Sequence, residues 1–125
     1  CVVENSNKNT VFSLEERVVL AKKSLENIKN IEVIPFSGLL VDFATKLNAK
    51  VILRGLRVVS DFEYEFQMSS MNKKLNNNIE SIFLTPSESY AFLSSSLVKE
   101  IAQLGGDVST FVNEDVKTAL ERKYK

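Results

Sequence analysis

The 125 residues contain no histidine and no tryptophan, and cysteine occurs once, at Cys1. Without an imidazole, Ser-His-Asp and Cys-His triads, histidine general bases and histidine metal sites are all excluded within this chain. A single cysteine excludes an internal disulfide and a multi-cysteine zinc site. Cysteine poverty fits a reducing compartment. No apolar run approaches the ~18 residues of a membrane span, and no signal-peptide pattern is visible. A cytoplasmic location without a membrane partner is expected. Sixteen basic residues offset sixteen acidic ones. That balance argues against a surface built to neutralise nucleic-acid phosphates, but it leaves room for a local basic pocket. With 44% hydrophobic and 26% charged residues, the chain has ordinary globular composition. Its length predicts a single domain over 1–125, on a prior of ~100–200 residues per domain. The sequence starts with Cys rather than Met, so an upstream segment is expected to have been cut or left out.

Two prolines and four glycines punctuate the chain. Cys1-Val2-Val3 reads as the tail of a strand, and residues 5–9 (NSNKN) as a polar loop. Ser13 with Glu16 fits a capping box, and Leu14, Val18, Ala21, Leu25 and Ile28 then fall on one helical stripe. Residues 31–36 (IEVIPF) read as a strand, and residues 39–47 as a short helix. Residues 50–53 (KVIL) form an apolar β-branched run that stops at Arg54-Gly55. Ser60 and Glu63 suggest a second capping box, opening a helix to about Leu75. That helix carries Phe62, Tyr64, Phe66, Met68, Met71 and Leu75 on more than one face, as expected of an element that is either deeply buried or also packs against a partner. Residues 81–84 (SIFL) read as a strand stopped by Thr85-Pro86. A helix is predicted over 95–104 with Gly105 as its cap, and a last one from about Glu114. Strict strand–helix alternation predicts an α/β chain with a parallel sheet flanked by helices.

Ligands of open parallel sheets sit outside the carboxyl ends of the strands. The first end leads into the loop bearing Lys8, and the second into Ser37-Gly38-Leu39-Leu40. The third carries Arg54-Gly55-Leu56-Arg57. The fourth leads into Thr85-Pro86-Ser87, with Ser94-Ser95-Ser96 opening the next helix. Cations, and hydroxyls at a helix start, suit a phosphate ester. Each piece has a plainer use. The serines cap a helix, the arginines pair with carboxylates, Glu63 and Glu65 lie on a solvated face, and the Met- and aromatic-bearing helix is core or interface. Their convergence on one sheet edge favours the anion site.

Arg54-Gly55-Leu56-Arg57, Asp61-Phe62-Glu63-Tyr64-Glu65 and Met71-Asn72 together resemble the central signature of the phosphopantetheine adenylyltransferase family. Phe12-Ser13-Leu14-Glu15-Glu16-Arg17 and Ser94-Ser95-Ser96-Leu97-Val98-Lys99-Glu100 match it in the same order and spacing. The resemblance implies a Rossmann-like nucleotidyltransferase fold, a hexamer, a need for magnesium (Mg2+), and no metal-binding residue assigned here. The implied reaction moves the adenylyl group of ATP onto 4′-phosphopantetheine, giving dephospho-coenzyme A and pyrophosphate. It further implies that Lys8, Leu40 and Arg54 bind the pantetheine substrate, with Leu39, Met68, Asn72 and Glu100 shaping its pocket. Gly55, Leu56, Arg57, Glu65 and the stretch Tyr90, Ala91, Phe92, Leu93, Ser94, Ser95 and Ser96 would bind ATP. Arg57 and Lys8 are the expected catalytic cations. Tyr90 stands where relatives often carry tryptophan, keeping a flat ring. The family's first strand, first helix and T-x-G-H motif are absent from these residues, so this chain alone is expected to be inactive.

Two other classes compete. A non-catalytic nucleotide-binding regulatory domain would keep the pocket without the chemistry. A flavodoxin-like or receiver-like signalling domain would need acidic strand ends, whereas these are basic or hydroxylic.

Overall fold

Two pairs of parallel strands, each joined by a helical crossover, carry the architecture. The computed structural model describes residues 1–4 and 10–125. Its elements are β1 (Val2–Val3), α1 (Leu14–Ser24), β2 (Pro35–Phe36), α2 (Leu40–Lys46), β3 (Val51–Gly55), α3 (Val59–Leu75), β4 (Glu80–Leu84), α4 (Glu88–Ala91), α5 (Ser95–Gln103) and α6 (Glu114–Tyr124). They gather into two compact units, Cys1–Ser37 with Leu93–Lys125, and Gly38–Phe92. The strands form two separate two-stranded ladders, β1–β2 and β3–β4, both parallel.

In the first unit, α1 opens with the expected capping box. The Glu16 N–H donates to Ser13 Oγ at 3.2 Å, and the Ser13 N–H donates to Glu16 Oε2 at 2.8 Å. Arg17 Nη1 then donates to the Val3 carbonyl at 2.9 Å, tying the helix to the end of β1. The apolar stripe extends past the helix itself. Ser24 turns its hydroxyl back onto the Leu20 carbonyl at 2.8 Å, a bond that competes with helix continuation. Leu25 is the C-cap, which leaves Ile28 beyond the helix and exposed. The strand expected over 31–36 is shorter too. β1 offers two residues, so the ladder matches only Val2 with Pro35 and Val3 with Phe36.

α6 lies against α1 through Lys23–Asp115 at 2.7 Å and Lys123–Glu16 at 3.0 Å. Asn113 Nδ2 also donates to Ser24 Oγ at 2.6 Å. Beneath them Val98, Val108 and Leu120 form a buried cluster, with Phe12, Ile101, Phe111 and Val116 packed around it. α5 closes as anticipated at glycine. The Gly105 N–H donates to the Ala102 carbonyl at 3.1 Å, and the Gly106 N–H to Ile101 at 2.9 Å. This crossed pair requires the left-handed φ of +79° that Gly105 supplies.

In the second unit, Val41, Ala44, Ile52 and Ile79 make the core between α2 and the β3–β4 ladder. Asn48, at φ 53°, ends α2 by the same crossed pair. The Asn48 N–H reaches the Thr45 carbonyl at 3.0 Å, and the Ala49 N–H reaches Ala44 at 2.9 Å. The turn sends the chain directly into β3. That strand does not stop before Arg54-Gly55, because β4 still offers partners there. Arg54 faces Phe83 and Gly55 faces Leu84 in register. The capping box expected from Ser60 and Glu63 is not formed. Val58 is the N-cap and has no side-chain cap bond, so Ser60 falls within the first turn. The short helix α4 was not foreseen in the sequence. Among the described residues no helix is long and apolar enough to cross a membrane.

Leu120 is 2% exposed, so Leu120→Ala empties the centre of the first unit. We expect a loss of about 2–5 kcal/mol in chemical denaturation. A midpoint unchanged from wild type contradicts this placement of the core.

Candidate active site

The end of β3 and the first turns of α3 hold the densest pairing of cations in the second unit. Arg54 is the penultimate residue of β3. Its Nε donates to Glu65 Oε2 at 2.7 Å and its Nη2 to Glu65 Oε1 at 2.5 Å. This is a planar fork meeting a carboxylate along two parallel bonds. The Glu65 side chain is 12% exposed and that of Arg54 is 45%, so the acid is sunk and the cation faces outward. The bonds to Glu65 raise the Arg54 guanidinium above its ordinary value, against a smaller lowering by burial. Arg54 is a fixed positive charge at any working pH.

Arg57 lies in the turn between β3 and α3. Its Nε donates to Asp61 Oδ2 at 3.1 Å and its Nη2 to Asp61 Oδ1 at 3.4 Å. The Arg57 backbone N–H also donates to Asp61 Oδ2, at 3.3 Å. Asp61 is the third residue of α3, where a carboxylate faces the positive end of the helix dipole. Its carboxyl is held below the ordinary value, first by the bond from the Arg57 side chain and then by the Arg57 N–H.

Asp61, Glu65, Met68 and Asn72 are spaced by four, three and four residues, so they share one stripe of α3. Asn72 is the buried residue of that stripe. Phe62 and Phe66 occupy another face and stack with ring centroids 5.6 Å apart. Both are exposed, as are Val59, Tyr64, Met71 and Leu75.

The remaining expected residues divide between the units. Leu39 is the N-cap and Leu40 the first residue of α2. Gly55 ends β3 and Leu56 follows it, the Leu56 N–H donating to the Leu84 carbonyl at 2.8 Å. Tyr90 and Ala91 lie in α4, Phe92 is its C-cap, and Tyr90 and Phe92 are exposed. These belong to the second unit. Leu93, Ser94, Ser95, Ser96 and Glu100 belong to the first. There Ser94 caps α5, its Oγ accepting from the Leu97 N–H at 3.1 Å. The N–H groups of Ser95 and Ser96 in the first turn have no intrahelical acceptor. Lys8 lies outside the described residues. Among the described residues no group of three or more His, Cys, Asp or Glu gathers to cage a metal ion.

A family model described as cytidylyltransferase-like matches residues 1–101. A phosphopantetheine adenylyltransferase of Staphylococcus haemolyticus (strain JCSC1435) is 50% identical over 125 residues, covering 100% of this chain and 78% of the relative. One from Staphylococcus carnosus (strain TM300) is 52% identical over 124 residues, covering 99% and 77%. The chain belongs to the phosphopantetheine adenylyltransferase family. The α/β, Rossmann-like nucleotidyltransferase class expected from the sequence holds for this cytidylyltransferase-like chain, with parallel strands flanked by helices.

For this adenylyltransferase-family chain, Asp61 is a functional residue to which the motifs alone assign no role. The signal was present: an acid four residues after Arg57, at a helix start, can reach back to it. Because the folded Asp61 value lies below the ordinary 3.8, the pair is complete above that range. It is lost as pH falls through the lower folded value. We expect an NMR titration of the Asp61 carboxyl carbon to give a midpoint below 3.8, moving upward in Arg57→Ala. A midpoint unmoved by that substitution contradicts the pair.

Proposed function

We propose that the chain works in adenylyl transfer from ATP to 4′-phosphopantetheine, releasing pyrophosphate and forming dephospho-coenzyme A. One observation in the fold carries the reading. Two arginines three residues apart, Arg54 and Arg57, sit at and just after the carboxyl end of a parallel strand, each gripped by its own carboxylate. The likeness, over the whole of this chain, to enzymes named for this activity supports it.

A phosphate oxygen of the acceptor attacks the α-phosphorus of ATP in line. A new P–O bond forms, the bond to the bridging oxygen breaks, and its electron pair leaves on pyrophosphate. Both reactants are anions, so the chain's task is to hold them together against their repulsion and to meet charge where it develops. Arg54 and Lys8 hold the acceptor phosphate. Arg57 and the serines at the start of α5 hold the triphosphate. Leu39, Leu40, Met68, Asn72 and Glu100 shape the pantetheine pocket. Gly55, Leu56, Glu65 and the stretch 90–93 contact the nucleotide, Tyr90 offering a ring face. Magnesium carried on the nucleotide's own phosphates, a common arrangement for this ion, would neutralise charge on the leaving pyrophosphate. The location is cytoplasmic.

In the complete gene product, Arg57→Ala is expected to lower turnover by about 10²–10³, the loss typical of one transition-state donor. Stability should stay within ~0.5 kcal/mol, as for surface substitutions. Turnover within twofold of wild type contradicts the role. Nucleotide binding without any pyrophosphate release, when 4′-phosphopantetheine is also present, favours the regulatory nucleotide-binding alternative.

The enzyme is also proposed to assemble as a homo-hexamer. The support is the apolar side chains exposed on more than one face of α3, where Val59 is 84% exposed, Tyr64 63% and Leu75 58%. Sedimentation of the complete gene product should give a single species of six chains at micromolar concentration. A clean monomer contradicts this.

A further inference from the structure

We propose that Asp61 is the positioning residue for Arg57: its carboxylate sets the direction of the guanidinium that meets the nucleotide's phosphates. This rests on the adenylyl-transfer reading above.

Three bonds converge on this one carboxylate. Asp61 Oδ2 accepts both from Arg57 Nε at 3.1 Å and from the Arg57 backbone N–H at 3.3 Å, while Oδ1 accepts from Nη2 at 3.4 Å. Asp61 thereby fixes the two ends of the Arg57 side chain, the backbone from which it starts and the guanidinium in which it finishes. The torsions in between have little freedom left. The anchor belongs to regular structure, since Asp61 lies in the first turn of a 17-residue helix.

The arrangement is used twice. One turn further along the same stripe, Glu65 holds the Nε edge of Arg54 through its two oxygens. Each arginine therefore has one carboxylate from α3, and the two acids are four residues apart.

Charge bookkeeping argues for orientation rather than attraction. A carboxylate beside Arg57 cancels part of the field that draws a triphosphate, so Asp61 works against simple anion capture. The compensating gain is a guanidinium held at one angle. For a fork-shaped donor, that angle decides whether two phosphate oxygens or one are met. Asp61 is thus expected to matter more for turnover than for nucleotide affinity.

The test is a double-substitution cycle on the complete gene product, with kcat and KM measured separately for ATP and for 4′-phosphopantetheine. We expect Asp61→Ala to lower kcat by roughly ten- to a hundredfold, the scale of a misplaced reacting group. KM for 4′-phosphopantetheine should stay within about twofold, because Arg54 keeps its own partner. In the Arg57→Ala background, Asp61→Ala should cost nothing further. Asp61→Asn keeps an acceptor for the Arg57 N–H and runs through the same cycle if the alanine variant fails to fold. Asp61→Glu should recover part of kcat. Asp61→Ala, or Asp61→Asn in its place, with wild-type kcat overturns the inference. So does an Asp61 effect that persists in full without Arg57, which would make Asp61 a direct ligand or a purely structural residue. If Arg57→Ala itself leaves turnover intact, it is the adenylyl-transfer role of Arg57 that fails, and the two failures are told apart.

Discussion

Parallel strands cannot be joined by a tight turn; the chain must cross back over the ladder before the second strand can begin. This constraint organises the second unit. β3 and β4 run in the same direction, in register from Val51 with Glu80 to Gly55 with Leu84. α3 is the crossover, so its first turns must lie close to the last residues of β3. Arg54 and Arg57 stand at the end of the strand and in the turn. Asp61 and Glu65 stand in the first and second turns of the helix. The pairing of cation and carboxylate is therefore a result of topology acting on residues spaced four and eleven apart in sequence.

The same crossover explains how the site stays rigid without a large core. Only four residues are buried in the cluster of the second unit, Val41, Ala44, Ile52 and Ile79. Polar ties supply the rest. Asn76 Nδ2 donates to Thr45 Oγ1 at 3.0 Å, linking the ends of α2 and α3. Lys73 pairs with Glu80 at the entry to β4. Such exposed pairs contribute little stability one at a time. Their effect is to fix the register in which the two arginines are presented.

In the first unit the equivalent order comes from helix ends. Ser13 and Glu16 cap α1 reciprocally, Glu16 then reaches Lys123 of α6, and Arg17 holds the end of β1. The Glu16 carboxyl is held below its ordinary value, first by the Ser13 N–H and then by Lys123. One acid thus closes a helix start and joins two helices. A capping motif visible in sequence becomes part of tertiary structure because α6 brings a lysine to it.

Much of this was legible in the residues themselves. The Ser13–Glu16 box and the glycine stop at Gly105 are local effects, decided by one or two turns of backbone and a single side chain. The alternation of helices and short apolar runs determined the α/β class. Arg54-Gly55-Leu56-Arg57 with the motifs on either side pointed to the family. What sequence could not supply was anything that depends on a distant partner. The run 31–36 is apolar enough for a strand, yet it pairs only where β1 offers residues. β3 continues through Arg54 and Gly55 because β4 is there to receive them. Ser60 had the chemistry of a cap, but the helix starts at Val59 and leaves that serine inside. Most of all, nothing in the order of the residues shows that Glu65 is held by Arg54. Side chains eleven residues apart meet only when a crossover folds one element over another, and that is decided by the tertiary structure alone.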